Sequence, residues 1–199
     1  NFLCATCQNN VWISTGSPAN INPKARFYKF DVRDAAAVVG VMSKEKPHIV
    51  NHQAAVASIT LSTERPLETY EVNTLGTINV LIASAPYIKK FIFASSGGAI
   101  YGRPRKMPTP ETAPSLPVTA YGFSKELAEG AVRYYAAQYG FDYTIIRPSN
   151  VFGPRQSAYA EGGVFAIFSH LAKEQKARTI YNKRATRDYV FVGDLVHAY

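Results

Sequence analysis

Two side chains that could share a proton lie four residues apart in the segment Tyr121-Gly-Phe-Ser-Lys125. On a helix this spacing puts both side chains on one face. A phenol titrates at about pH 10 and is a poor base at neutral pH, but a nearby ammonium group favours the phenolate and lowers the pKa. The pair could therefore exchange a proton with a substrate hydroxyl. The spacing alone is weak evidence, because Tyr and Lys at this separation are often a solvated packing pair.

A hydroxyl-rich and glycine-rich segment precedes this pair. The strand predicted over Phe91–Ser95 continues into Ser-Gly-Gly-Ala-Ile-Tyr-Gly at residues 96–102, at the carboxyl end of the strand, where open α/β sheets form their sites. Five prolines follow and exclude a regular element, so this stretch is predicted to be a surface loop: Pro104, Pro108, Pro110, Pro114 and Pro117.

The elements that must position these residues alternate along the chain, which predicts parallel βαβ units. Strands are predicted at 25–30, 48–51, 91–95 and 143–147. Helices are predicted from the cap Asp34 to about Lys46, from Glu64 to Ala85, and from Thr119 or Ala120 to Tyr139, before Gly140. The expected fold class is α/β, a Rossmann-like doubly wound parallel sheet.

Composition narrows the classes of function. The 199 residues, 47% of them hydrophobic, can bury one core, and no apolar run is long enough to span a bilayer. The formal charge of +8 is scattered without a basic helix, which argues against nucleic acid as a partner. Cys4 and Cys7 lack a second ligand pair, so no metal is expected. The first residues lack secretory features, and we expect a cytoplasmic protein.

Several motifs together resemble one family. They are FASSGGAIYG at 93–102, PET at 110–112 and AYGFSK at 120–125, with NHQAA at 51–55, VNTLGTIN at 72–79, RPSNVFGPR at 147–155 and TRDYV at 186–190. In this order they resemble the NAD-dependent epimerase/dehydratase family of extended short-chain dehydrogenases/reductases, and within it the UDP-glucose 4-epimerase group. The resemblance runs from about Ser14 to the last residue.

The resemblance implies a catalytic triad. Tyr121 would be the proton-transfer group, and Lys125 would lower its pKa and bind the nicotinamide ribose of NAD. The third member is usually a serine or threonine, and the family register places it at Gly97, where this chain has no hydroxyl. Ser96 is the nearest candidate and Ser95 the next. Alternatively, both serines are turn residues that satisfy local backbone groups.

The resemblance also implies residues that bind the cofactor and the substrate. The expected NAD-binding residues are Asp31, Val32, Ala54, Ala55, Asn73, Ser95, Tyr121, Lys125 and Pro148. The expected substrate-binding residues are Asn150, Val164 and Arg187. Alternatives stay open for three of them, because Asp31 could cap a helix, Asn73 could bond to neighbouring backbone and Arg187 could be a solvated surface residue.

The chain departs from the family at both ends. No GxxGxxG turn occurs, and Val11 stands where the family has an acid for the adenosine ribose. Residues 1–13 are therefore expected to be a divergent segment and 14–199 a partial NAD-binding domain. We expect the first strand with its glycine-rich turn, and the C-terminal substrate domain, to be missing. Within residues 181–186 the family usually has a GDG turn.

The resemblance implies 4-epimerisation of a nucleotide sugar, most simply between UDP-glucose and UDP-galactose, with NAD as cofactor. One alternative is a sugar-nucleotide 4,6-dehydratase, which usually carries Asp-Glu where this chain has Gly98-Ala99. Another is a non-catalytic truncated remnant that binds NAD poorly. A homodimer through the two long helices is also implied.

Overall fold

The computed structural model describes residues 11–15, 22–104, 106–159, 163–177, 179 and 186–199. Strands and helices alternate along most of this part of the chain, as predicted. The strands are β1 (Val11–Ile13), β2 (Arg26–Tyr28), β3 (Ile49–His52), β4 (Lys90–Ala94), β5 (Asp142–Ile146), β6 (Asn150–Phe152) and β7 (Tyr189–Phe191). The helices are α1 (Ala35–Glu45), α2 (Ile59–Glu64), α3 (Pro66–Tyr70), α4 (Gly76–Ser84), α5 (Gly97–Ile100), α6 (Ala120–Tyr139), α7 (Val164–Lys173) and α8 (Val192–Val196).

Parallel ladders organise these strands, which confirms the predicted α/β class. In the described residues β1 pairs with β2, β4 lies between β3 and β5, and β6 pairs with β7. Because β3, β4 and β5 run in the same direction, their carboxyl ends meet at one edge, where α/β sheets build their sites. Strands β1, β6 and β7 were not predicted from the sequence.

Local chemistry explains where two of the predicted helices begin and end. The Asp34 carboxylate accepts a hydrogen bond from the Ala37 amide and starts α1, and Lys46 in a left-handed conformation ends it. The Thr119 hydroxyl accepts from the Gly122 amide at 3.0 Å and starts α6. Gly140, with φ of 76°, ends α6, because glycine adopts this conformation without steric cost. Both helices agree with the predictions.

The helix predicted over Glu64–Ala85 is present as a continuous helical run at 66–84 that contains a π-helical turn. A separate helix, α2, begins at Ile59 and ends at Glu64, because a residue that precedes proline disfavours the helical conformation. Pro66 then occupies the first turn of α3, where its missing N–H is tolerated. A π-helical turn over Glu71–Leu75 joins α3 to α4. The prediction of a helix with Pro66 in its first turn is confirmed, but the π-helical turn and the separate helix α2 were not predicted.

The core lies between the β3–β4–β5 ladder and the helices packed on it. The buried apolar side chains include Val38, Val80, Leu81, Phe91, Phe93, Ala128, Val132 and Phe141. No helix in the part of the chain that the structure describes is both long and apolar enough to cross a membrane. Cys4 and Cys7 lie outside the described residues.

Candidate active site

Helix α6 presents Lys125 to the carboxyl end of β4. The ammonium Nζ donates to the Ala94 carbonyl at 2.8 Å and lies 4.9 Å from the centre of the Phe93 ring. Lys125 is only 2% exposed. Because burial penalises the charged form, it lowers the pKa of Lys125 to about 8. The sequence alternative of a solvated lysine is therefore wrong.

Tyr121, one turn earlier on the same helix, is partly buried. Burial raises the pKa of its phenol above the ordinary value, and a hydrogen bond with Ser96 partly offsets this rise. The expected lowering of the pKa of Tyr121 by Lys125 is not found, since burial and Ser96 are the two influences on this pKa. Tyr199 lies near Tyr121. Burial, with a smaller contribution from the charge of Tyr121, raises the pKa of Tyr199 to about 12. No motif in the sequence predicted Tyr199 at this position.

The bend after β4 separates the roles of the two serines. The Ser95 hydroxyl donates to Glu129 Oε1 at 2.7 Å, so its proton is engaged by the carboxylate and is not available to Tyr121. Ser96 is the serine close enough to Tyr121 to oppose the rise in the pKa of its phenol. A Cβ atom at Gly97 would lie 2.7 Å from the Arg147 carbonyl oxygen, so the family's hydroxyl-bearing residue does not fit there without movement. The geometry favours Ser96 as the hydroxyl partner.

Glu129 joins several elements and was missed in the sequence analysis. It accepts hydrogen bonds from Arg147, Arg133 and Ser95. Burial raises the pKa of Glu129, but these hydrogen bonds outweigh burial and hold the pKa below its ordinary value. The available signal was spacing, since Tyr121, Lys125 and Glu129 follow one another at four-residue steps on one helix face.

His52, at the end of β3, is buried beside this site. Its Nε2 lies 3.0 Å from the Thr77 hydroxyl, and its ring stacks against Phe93. Burial, with a smaller contribution from the charge of Lys125, lowers the pKa of His52 to about 3. His52 is therefore neutral at physiological pH and adds no charge to the site.

Asn73 lies in the π-helical turn and is fully buried. Its side-chain oxygen accepts from the Val56 amide at 2.8 Å, and its nitrogen donates to the Val56 carbonyl at 3.1 Å and to the Ser124 hydroxyl at 2.9 Å. Asn73 therefore ties the loop after β3, which carries the partly buried Ala54 and Ala55, to the Tyr121–Lys125 segment. A merely local backbone bond, the alternative from the sequence, is excluded by these contacts.

Asp31 and Val32 lie in the loop after β2. The Asp31 carboxylate receives the Arg33 guanidinium at 2.9 and 3.1 Å, and the hydrogen bond and charge of Arg33 outweigh burial and lower the pKa of Asp31. The side-chain cap of α1 is Asp34. Val32 is buried against Gly76, where a Cβ would lie 2.5 Å from the Val32 methyl carbon. The structure thus brings Val32 against α4.

The expected substrate-side residues lie around β6 and β7. The Asn150 side chain donates to the Asp188 carbonyl at 2.9 Å, which places it beside the exposed Arg187. Val164 begins α7, and the next residue, Phe165, stacks on Phe152 with ring centres 4.6 Å apart. The structure therefore brings the three expected residues to one region, although Arg187 itself bonds only to the Thr186 carbonyl in the described chain.

The hydrogen-bond donors of Lys125 show whether this part of the site fits the nicotinamide ribose of NAD. An ammonium group has three N–H donors, and in the described part of the chain the hydrogen bonds of Lys125 reach only the Ala94 carbonyl. Two donors are thus available to ribose hydroxyls, so Lys125 and Tyr121 fit this half of NAD. The described residues contain no cluster of three or more His, Cys, Asp or Glu side chains that could hold a metal ion.

Comparison with known proteins gives one consistent result. The profile of the NAD dependent epimerase/dehydratase family matches residues 9–199. A protein of Methanocaldococcus jannaschii is 41% identical over 188 residues, 94% of this chain and 61% of that protein. The UDP-glucose 4-epimerase of Mycolicibacterium smegmatis is 35% identical over 94% of this chain and 62% of its own length.

Solved structures agree with these sequence relatives. The Thermotoga maritima UDP-glucose 4-epimerase with UDP-glucose is 37% identical, with a TM-score of 0.92 over 96% of this chain and 63% of that one. The Thermus thermophilus UDP-glucose 4-epimerase complex with NAD is 36% identical, with a TM-score of 0.88 over 94% of this chain and 64% of that one. The chain thus spans about three fifths of the relatives' length. Its Tyr121–Lys125 helix, its parallel sheet and these matches show that it belongs to the NAD dependent epimerase/dehydratase family.

Proposed function

We propose that the protein to which this chain belongs interconverts nucleotide sugars that differ at C4, with UDP-glucose and UDP-galactose as the first candidates. The observation that carries the proposal is the position of Tyr121 one turn before the buried Lys125 on α6, with the Lys125 ammonium at the end of β4 beside the bend that carries Ser96. This arrangement holds a phenol, a hydroxyl and a cation at the carboxyl edge of the sheet. Such a set can move a proton to and from a sugar hydroxyl.

Each residue has a defined task in this proposal. The Tyr121 oxygen takes the proton of the sugar 4-hydroxyl and later returns it. Ser96 favours the phenolate, since it opposes the rise that burial causes in the pKa of Tyr121. Lys125, fixed by the Ala94 carbonyl, directs its remaining N–H groups to the cofactor ribose. NAD, when bound, supplies a reversible hydride acceptor.

The other expected contacts support the same assignment. We propose that Val32, Ala54 and Ala55, in loops after β2 and β3, line the cofactor path together with Pro148. The Asp31 carboxylate, which is paired with Arg33, would contact the adenine of NAD. Asn73 would act by fixing the loop at Val56.

On the substrate side, Asn150 and Arg187 would bind the diphosphate of the sugar nucleotide. An arginine forms charge-assisted, forked contacts with phosphate oxygens, and Arg187 is exposed and free of any carboxylate partner in the described residues. Val164, at the start of α7, would lie beside this group. These three assignments are proposals that rest on position.

A 4,6-dehydratase is the alternative within the same family. The human dTDP-D-glucose 4,6-dehydratase is 32% identical over 98% of this chain and 54% of its own length. Elimination needs an acid–base pair, and the resemblance places it at residues 98 and 99. Here these are Gly98 and Ala99, which carry no titratable group. We therefore favour epimerisation.

The direct experiment incubates the purified chain with UDP-galactose and NAD and quantifies UDP-glucose by chromatography. In parallel, the protein is denatured and released nicotinamide cofactor is measured. Formation of UDP-glucose supports the proposal, and formation of a 4-keto-6-deoxy sugar supports the dehydratase. The absence of both a product and released cofactor would support the non-catalytic alternative.

We also propose a homodimer through the two long helical segments, the run at 66–84 and α6. Apolar side chains of these helices are solvent-exposed, with Leu67 at 77%, Phe123 at 44% and Leu127 at 40%. Such a patch marks an association surface, and a second copy would cover it. Sedimentation of the wild type should give a dimer, and Leu127→Glu should give a monomer. A wild-type monomer would contradict this proposal.

Two sequence predictions stay proposals of their own. We propose that residues 1–13 are a divergent segment and 14–199 a partial NAD-binding domain, with strand β1 as the part of the segment that pairs with the domain. The cytoplasmic location predicts recovery in the corresponding fraction of the source cells.

A further inference from the structure

A buried carboxylate lies behind the proposed reacting groups. Glu129 is 1% exposed and projects from α6 one turn after Lys125, on the same helix face. Removing a carboxylate from water is costly, and replacement of buried ion pairs by apolar residues is often neutral or stabilising. Stability alone is therefore a weak reason for a charge at this position.

Both oxygens of Glu129 are fully engaged. Arg147 donates through Nε to Oε1 at 2.8 Å and through Nη2 to Oε2 at 2.7 Å, in a forked pair. The Ser95 hydroxyl donates to Oε1 at 2.7 Å, and Arg133 donates to Oε2 at 2.6 Å. The forked pair with Arg147 fixes orientation as well as distance, which a single ionic contact would not do.

These contacts hold the bend on both sides of Ser96. The Ser95 amide donates to the Ile146 carbonyl at 2.8 Å, and the Gly97 amide donates to the Pro148 carbonyl at 2.9 Å. Arg147, between Ile146 and Pro148, is itself fixed by Glu129. The carboxylate thus connects α6 to the Ser95 side chain and to the β5 extension that binds the bend.

The same guanidinium reaches the end of the glycine-rich turn. Arg147 Nη1 donates to the Tyr101 hydroxyl at 2.8 Å, and the guanidinium carbon lies 5.0 Å from the centre of the Tyr101 ring. Tyr101 directly follows α5, which begins at Gly97. One cluster therefore fixes both ends of the segment 95–101.

We propose that Glu129 is a positioning residue, whose carboxylate holds the bend at 95–97 so that Ser96 stays against Tyr121. Its kinetic consequence rests on the proposed function. Loss of the carboxylate would allow the Ser96 hydroxyl to move away from the phenol, while the surfaces at Asn150 and Arg187 would be unchanged. The effect would therefore fall on turnover and not on substrate affinity.

The test is a double-mutant cycle that combines Glu129→Gln with Ser96→Ala. Glu129→Gln should lower kcat for UDP-galactose by about 100-fold, the scale of a misplaced catalytic group, and leave KM unchanged. In the Ser96→Ala background the same substitution should change kcat by less than about twofold, because the residue it positions is gone. Glu126→Gln, on the same helix but without a hydrogen bond in the described residues, should behave as wild type.

A second readout does not need activity. Hydrogen exchange of the Gly97 amide, which is bonded to Pro148, should accelerate at least tenfold in Glu129→Gln and stay unchanged in Glu126→Gln. Should Glu129→Gln fail to fold, Arg147→Lys takes its place in both measurements. It keeps the positive charge but cannot form the forked pair.

The outcomes separate this proposal from the proposed function. If the wild type is inactive on sugar nucleotides but Glu129→Gln accelerates exchange at Gly97, the proposed epimerase activity is refuted and the positioning role of Glu129 is retained. The positioning role would be overturned if Glu129→Gln lowered kcat equally in the wild type and in Ser96→Ala. Unchanged exchange at the Gly97 amide in Glu129→Gln would also overturn it. A rise in KM with constant kcat would overturn it as well.

Discussion

Gly97 gives a sharp test of the bend, because the family register would place a hydroxyl-bearing residue there. In Gly97→Ser the new Cβ would lie 2.7 Å from the Arg147 carbonyl oxygen and 3.1 Å from the Pro148 carbonyl oxygen. Both neighbours are backbone atoms and cannot rotate away. The bend must move, although the substitution restores the hydroxyl that the family register lacks.

The magnitude follows from two contributions. Overpacking against backbone costs about 1–3 kcal/mol. Lengthening of the Gly97 amide to Pro148 carbonyl hydrogen bond, now 2.9 Å, costs about 1 kcal/mol more. For a domain of this size, the sum of about 2–4 kcal/mol corresponds to a decrease in Tm of about 5–15 °C.

Thermal unfolding followed by circular dichroism measures this decrease, and the epimerase assay follows activity. The matched control is Gly98→Ser, since a Cβ at the neighbouring Gly98 meets no atom within 4 Å. Gly98→Ser should change the free energy of unfolding by no more than about 0.5 kcal/mol. Equal Tm values for the two variants, or higher activity in Gly97→Ser, would refute the account of the bend.

Three further predictions concern the residues around Tyr121. Ser96→Ala should shift the rising limb of the pH–activity profile to higher pH, because the hydrogen bond that lowers the pKa of Tyr121 is lost; an unchanged limb would argue against this contact. Lys125 has a folded-state pKa of about 8 and therefore binds fewer protons in the folded than in the unfolded chain. From pH 7 to 9.5 the free energy of unfolding of the wild type should therefore rise by about 2 kcal/mol relative to Lys125→Met, as measured by urea denaturation. Parallel pH curves for the two proteins would contradict this burial. Asn73→Ala leaves the Val56 amide and carbonyl unsatisfied and should cost about 2–4 kcal/mol, whereas the exposed Asn51→Ala should cost less than about 0.5 kcal/mol.

Local signals in the sequence were sufficient for much of the fold. Asp34, Thr119 and Gly140 each act at short range through a cap or a special backbone conformation, so α1 and α6 were predicted within one or two residues. The alternation of short apolar runs with helical segments was enough for the parallel sheet. The proline-rich stretch forms no helix or strand in its described residues.

Features that depend on tertiary contacts were not predictable in the same way. The π-helical turn places Asn73 against Val56 and Ser124, which are distant in sequence. The pKa of Tyr121 is raised by burial, which depends on the elements packed around the phenol and not on the four-residue spacing. Glu129 was visible as a third residue at the four-residue step, but its partners Ser95 and Arg147 directly follow β4 and β5 and are distant in sequence.

The most direct measurement is kcat for the conversion of UDP-galactose to UDP-glucose by the wild type and by Tyr121→Phe, with NAD saturating in both. Phenylalanine keeps the ring and removes only the oxygen that carries the proton. We predict a loss of at least about 100-fold in kcat, with an unchanged Tm. Turnover by Tyr121→Phe equal to that of the wild type would contradict the assignment of Tyr121 as the proton-transfer group.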